Sequence, residues 1–235
     1  MEENYKDEMI VIDNVNRYNE IFGLETKHPL VSIIDLTKST TWPTRAWFRY
    51  EVYALFLKNV KCGDIKYGRQ YYDYQDGTIV CFGPGQITDL ELIQNIQPNA
   101  HGLLFHPDLI RGTSLGQEIK NYSFFSYETN EALHLSEEER QIVMDCLQKI
   151  VIELNHAIDR HSRRLICTNI RLLLDYCMRF YERQFETRNK VNNDIIVRFE
   201  HLFIEQMFEA DNDVFVYSVS CVELAFVKAH TIVEQ

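Results

Sequence analysis

The chain has no paired cysteines. Cys62, Cys81, Cys146, Cys167, Cys177 and Cys221 are scattered singly, with no Cys-x-x-Cys and no Cys/His zinc spacing, which argues against a zinc knuckle. Most sit inside apolar runs, where a cysteine behaves as a small buried hydrophobe. No apolar stretch reaches the roughly 18–20 residues of a bilayer span. Met1 is followed by Glu2-Glu3-Asn4-Tyr5-Lys6-Asp7-Glu8, the opposite of a basic signal-peptide start. A soluble, reducing, cytoplasmic protein without a membrane partner is expected.

Positive charge is also short. The net charge is -11, and no segment is net basic: residues 1–135 hold 12 Lys/Arg against 18 Asp/Glu, 136–210 hold 11 against 13, and the rest one against four. The electrostatic footprint of nucleic-acid binding is therefore missing. Catalytic signatures are missing too. There is no Gly-x-Ser-x-Gly elbow, no phosphate loop and no dinucleotide fingerprint, and Gly63 to Gly68 reads as a hairpin turn. No enzyme reading rises above background, and no cofactor is expected.

What the chain does have is greasy and aromatic: 46% hydrophobic and 12% Phe, Trp and Tyr, enough for a substantial core. Residues 10–15 read as a strand and 14–22 as a short helix ending at Gly23. Further strands are expected over 28–36, 48–57, 78–82 and 101–106, with short ones at 65–67, 69–74 and 122–127. A short helix is expected within 108–119. Glycines at short intervals between the middle strands argue a small sandwich or barrel. At Ser136 the pattern changes. Ser136-Glu137-Glu138-Glu139 is a capping box, and Ile142, Val143, Cys146, Ile150, Leu154 and Ile158 follow at helical spacing. Arg160 to Arg164 form a turn. A second helix carries Leu165, Ile166, Ile170, Leu173, Leu174, Cys177 and Phe180, and a third is expected from Asp194. A small β-domain covers such stripes only in part, and the remainder points to a partner, most simply a two-fold mate. Ile150, Leu154, Ile158, Ile166, Ile170, Leu173 and Cys177 are the expected homodimer interface.

Several blocks carry a family resemblance. They are Tyr67-Gly68-Arg69-Gln70-Tyr71-Tyr72-Asp73-Tyr74-Gln75-Asp76-Gly77-Thr78 through Phe82-Gly83-Pro84-Gly85-Gln86, and Leu104-Phe105-His106-Pro107-Asp108-Leu109-Ile110-Arg111-Gly112-Thr113-Ser114-Leu115. Phe124-Phe125-Ser126-Tyr127-Glu128-Thr129-Asn130-Glu131-Ala132-Leu133-His134-Leu135-Ser136 and Tyr176-Cys177-Met178-Arg179-Phe180-Tyr181 extend them. Over residues 8–208 the chain resembles the amino-terminal cupin domain of AraC-type transcriptional regulators. The resemblance implies an α+β fold: a cupin-like β-barrel (double-stranded β-helix or jelly roll), then a long antiparallel helical pair and the start of a third helix. It divides the chain into an effector-sensing barrel over 8–135, a helical dimerisation and linker region over 136–209, and an atypical tail over 210–235. The family's two helix-turn-helix units do not fit in that tail, which lacks a basic recognition helix. The implied function is the sensing and dimerising portion of a regulator, with DNA a partner only where a complete helix-turn-helix domain is present. A stand-alone small-molecule-binding cupin and a metal-free cupin enzyme remain as alternatives.

In metal-binding cupins, histidines converge inside the barrel. Here the stretch before Gly77 has no histidine, and none occurs within ten residues after Gly85. His101 and His106, five apart, fall on opposite faces of a strand, so no metal site is expected. An unknown small-molecule effector is expected inside the barrel, lined by Trp47, Tyr53, Tyr72 and Phe82, with Arg49 or Arg69 gripping an anion. The other reading of these residues is a packed aromatic core with solvated arginines. Arg111 is a candidate staple between barrel and helices through a carboxylate, or else an exposed arginine. Arg163 and Arg164 read as a charge cluster at a helix end.

Overall fold

The computed structural model describes residues 9–43, 45–58, 63–67, 70–71, 77–92, 97–125 and 132–209. Ten strands are found among them: β1 (Met9–Ile12), β2 (Val31–Asp35), β3 (Arg45–Tyr50), β4 (Tyr53–Lys58), β5 (Gly63–Tyr67), β6 (Gln70–Tyr71), β7 (Thr78–Phe82), β8 (Ile87–Leu92), β9 (Ala100–Phe105) and β10 (Leu133–His134). Five helices accompany them: α1 (Val15–Phe22), α2 (Pro107–Ile110), α3 (Ser114–Glu118), α4 (Glu137–Asn155) and α5 (Ser162–Glu209). The strands form two five-stranded sheets, ordered β1-β3-β8-β5-β6 and β10-β7-β4-β9-β2. The pairings are antiparallel except for β1 beside β3. The fold is mixed α+β with two separate sheets, and the described strands do not close into one barrel.

Side-chain alternation decides what each face meets. Phe48 and Tyr50 of β3 share one core with Ala54 and Phe56 of β4, Val80 and Phe82 of β7, and Leu104 of β9. The alternate residues Leu55, Leu57, Ile79, Leu103 and Phe105 join a second core with the helices. The second sheet is thus buried on both faces, which is why β4 and β7 read as near-continuous apolar runs. α1 adds Tyr18 and Phe22 to the inter-sheet core. Its N-cap is Asn14, which accepts from the Arg17 N–H, and it closes at Gly23 with φ 61°, a left-handed C-cap that glycine adopts without strain.

The helical layer starts where the capping box places it. Ser136 N–H donates to Glu139 Oε2 at 2.9 Å, and Glu139 N–H donates to Ser136 Oγ at 3.2 Å. Arg183 Nε lies 2.9 Å from Glu139 Oε1, so residues 162–184 run back antiparallel to α4. By internal contacts the chain divides into Met1–Gln184 and Phe185–Gln235. In the second unit the backbone is helical to Glu209, and residues 210–235 lie outside the described set.

Several expectations are corrected. The run 48–57 is two strands, separated by a bend at Glu51 and Val52. β8 was not anticipated, because its Thr88 and Asp89 interrupt the apolar pattern. The helix expected within 108–119 is two short ones, divided at Gly112, whose φ is 75°. In the stretch 122–127, Ser123–Phe125 form a 3-10 turn rather than a strand, and residues 126–127 lie outside the described set. The helix expected to start at Asp194 does not begin there, since α5 runs through it without a break. No glycine or proline lies between Gln184 and Asp194, and polar residues alone do not stop a helix.

Candidate functional site

The space between the sheets is mostly filled. Tyr50 stacks on Phe82 at 5.2 Å, Tyr18 on Phe22 at 4.5 Å, and Tyr18 meets Phe56 at 5.7 Å. The remaining cavity measures about 40 Å³, lined by these aromatics together with Lys58, Thr88 and Leu90. Among the described residues that is room for water rather than for an effector. Lys58 is 4% exposed and has an interaction partner. Burial pushes the phenols of Tyr18 and Tyr50 well above their usual value, so both are neutral hydroxyls.

The expected effector residues do not converge. Phe82 alone among those described lines the inter-sheet cavity. Trp47 is 41% exposed, being one residue out of phase with buried Ala46 and Phe48. Arg49 shares that outward phase and pairs with Glu51, Nε to Oε1 at 2.9 Å. Tyr53 lies on the helix side of the second sheet, stacked on Phe105 at 4.9 Å and edge-on to Phe125 at 5.0 Å. Arg69 and Tyr72 lie outside the described residues. Alternation explains the scatter: neighbouring strand residues face opposite ways, and the aromatics belong to three different surfaces.

The expected dimer stripe is also relocated. Ile150, Ile166, Ile170, Leu173 and Cys177 are fully buried within this one chain, against the second sheet. Leu154 is half-buried on the same core, and Ile158 stands 70% exposed between α4 and α5. The sheet was expected to be too small to cover both helices. It covers this stripe because its outer face is apolar along all five strands.

A larger concavity lies at the margin of the second sheet. A groove of about 420 Å³ is lined by Gly23, Leu24, Glu25 and Lys27 of the α1–β2 connection, by Val31, Ser32, Ile33, Asp35 and Lys38, and by Gln148, Val151 and Leu154 of α4. Its size falls within the range of ligand pockets. β2 is the terminal strand of its sheet. Consecutive residues Val31, Ser32 and Ile33 point to alternate faces, so a space touching all three approaches the strand from its edge.

Polar contacts hold the groove walls. Fully buried Asn19 donates from Nδ2 to Ser32 Oγ at 3.1 Å and to Thr26 Oγ1 at 2.8 Å, fastening α1 and its loop to β2. Lys27 Nζ donates to Asn155 Oδ1 at 2.6 Å, tying the loop to the end of α4. At the other end Lys38 Nζ lies 2.9 Å and His101 Nε2 3.8 Å from the Asp35 carboxylate, which also accepts from Thr37 Oγ1 at 2.6 Å. Partial burial alone would raise the Asp35 pKa. The hydrogen bonds from Thr37 and Lys38 and the nearby charges outweigh it and hold the carboxyl below its usual value. His106 is not turned toward this cluster; its Nδ1 accepts from the Asp108 N–H at 3.1 Å as the cap of α2.

Sequence reasoning missed Asn19, Ser32, Lys27 and Asp35. The one local signal was Asn19, a polar residue on the apolar face of a short helix. Compared with known proteins, the chain matches no family profile, and no curated protein matches it significantly.

Proposed function

We propose that this chain is the effector-sensing and self-associating part of an AraC-type transcription regulator, its two sheets being a cupin-like jelly roll. The observation that carries the reading is the groove shared between the edge of β2 and α4. An occupant there touches the sheet and the helical layer together, so its binding energy bears on how the two pack. The inter-sheet cavity lined by the described residues, about 40 Å³, is too small for that role. Support for the family comes from the sequence blocks at 67–86, 104–115, 124–136 and 176–181. Sensing and self-association are the roles assigned; residues 210–235, with one Lys/Arg against four acidic residues, are given no part in DNA contact.

Self-association uses the helix face turned away from the sheet. Leu165 and Leu172 of α5 stand 41% and 37% exposed, one heptad apart, and Ile152 of α4 is exposed beside Gln148 and Lys149.

The test is a thermal-shift screen of metabolites with wild type and Val151→Arg, which fills the groove. Compounds that raise the melting temperature of wild type, and lose that effect in Val151→Arg while keeping it in Trp47→Ala, bear the reading out. Compounds whose effect survives Val151→Arg, or no compound at all, count against it. Sedimentation should give a dimer for wild type and a monomer for Leu165→Glu/Leu172→Glu.

A further inference from the structure

We propose that Arg164 and Glu182 of α5 select what covers the exposed helix face, and that they select a second copy of this same chain, packed antiparallel across a two-fold axis. This rests on the self-association reading and adds to it an orientation and a basis for specificity. The exposed stripe of α5 runs through Arg164, Leu165, Thr168, Leu172, Asp175 and Glu182. Eighteen residues are five whole helical turns, so Arg164 and Glu182 project the same way from opposite ends of the stripe, about 27 Å apart. The charges near them are engaged within the chain. Arg163 caps the carbonyls at the end of α2, and Arg183 pairs with Glu139. Arg171 pairs with Glu118 and lies near Asp175, which also accepts from the Tyr122 hydroxyl at 2.6 Å. The guanidinium of Arg179 lies over the Tyr176 ring. Among the described residues, Arg164 and Glu182 have no ion pair, and both are exposed.

The whole helical layer is polarised in the same sense. Because α4 and α5 run antiparallel, residues 137–148 lie beside 175–184, and together they carry six acidic residues against three arginines. Residues 149–172, toward the α4–α5 turn, carry five Lys/Arg against two acidic residues. The layer is neutral as a whole, so a partner of one sign suits only half of it. A two-fold mate suits all of it, because each acidic end then meets a basic one. A parallel copy would set like ends together, which disfavours that orientation. Pairing Arg164 of one copy with Glu182 of the other puts the axis level with Leu172 and Leu173. Exposed Leu172 then meets its own mate, leaving the two about 3 Å apart along the helices, while the two Leu165 residues are about 24 Å apart.

The test is sedimentation equilibrium of the full chain, with circular dichroism as the control for folding. Arg164→Glu and Glu182→Arg each place two like-charged pairs in a symmetric dimer and should raise the dissociation constant about tenfold. Added salt should tighten these variants and loosen wild type. Arg164→Glu/Glu182→Arg should return to near wild-type affinity. An equimolar mixture of the two single variants should form the mixed dimer in preference to either homodimer, because both of its pairs are again opposite in charge. Leu172→Cys should cross-link to itself under mild oxidation, mapped by mass spectrometry, and Leu165→Cys should not. The cysteine pair stays informative should a charge reversal fail to fold. A dimer indifferent to both reversals, a double variant as weak as the singles, a mixture without preference, or self-cross-linking of Leu165→Cys overturns the proposal and leaves self-association standing. A wild type that stays monomeric overturns both.

Discussion

Arg163 of α5 donates from Nε to the Leu109 carbonyl at 2.8 Å, and from Nη2 to those of Asp108 and Arg111 at 3.1 and 2.7 Å. One guanidinium on the second long helix thus serves three carbonyls at the end of α2, where they lack partners within that helix. This is the staple between the two halves of the chain. The alternative candidate, Arg111, is 79% exposed at its side chain and, among the described residues, pairs with nearby Asp108.

Arg163→Lys should therefore be destabilising although it keeps the charge, because an ammonium cannot fork across three carbonyls. Charge-assisted hydrogen bonds at a partly exposed site suggest a loss of about 1–2 kcal/mol. Urea unfolding followed by circular dichroism measures it. An unchanged midpoint removes the staple.

The capping box is separable from packing. Ser136→Ala should cost about 1 kcal/mol, with Glu139 keeping its ion pair to Arg183. Ser136→Asp should recover most of the loss in the same urea titration.

Leu173→Ala and Leu172→Ala differ by one residue and should differ sharply in effect. Leu173 is fully buried against the second sheet, and its loss should cost about 2–5 kcal/mol. Leu172, exposed, should change monomer stability by less than about 0.5 kcal/mol. Equal costs would contradict the assignment of the buried stripe to the fold of one chain.

Cys81 and Cys177 should resist alkylation in the native state. Burial pushes both thiols up, and each is further raised by a neighbouring cysteine, Cys177 beside Cys81 and Cys146 beside Cys177. Iodoacetamide at pH 8 with peptide-level mass spectrometry should label neither until urea is added. Rapid native labelling of either would show that the core opens there.

Asp35 links the groove to pH. Its carboxyl is held below the usual value in the fold, so its contribution is present above the unfolded pKa of about 3.9 and fades as pH falls through the lower folded value. Asp35→Asn should be less stable than wild type at pH 7, and the gap should narrow below about pH 4. A gap that is constant with pH would show that the carboxylate charge contributes nothing.

The sequence made local features legible and left facing ambiguous. Asn14 and Gly23 bounded α1, Ser136 and Glu139 opened α4, and the apolar run 78–82 marked a fully buried strand. These are signals a few residues long, and tertiary structure did not override them. What Ile170 or Leu173 packs against is a long-range fact, and an apolar helical stripe looks the same whether it faces a sheet or a twin. The same limit scattered the effector residues. Trp47 and Phe48 are neighbours in sequence, but one stands in solvent and the other between the sheets. The groove was invisible because edge position and the unshared side of a ladder belong to topology, and β2 differs little in composition from the buried strands.

The most direct test of the central claim is hydrogen–deuterium exchange with and without a compound that raises the melting temperature. The account predicts added protection at 31–35 and at 148–154 together, on the two walls of the groove, with β3 and β8 unchanged. Protection confined to β3, β8 and Phe82, with β2 and α4 unaffected, would place the occupant between the sheets and contradict it.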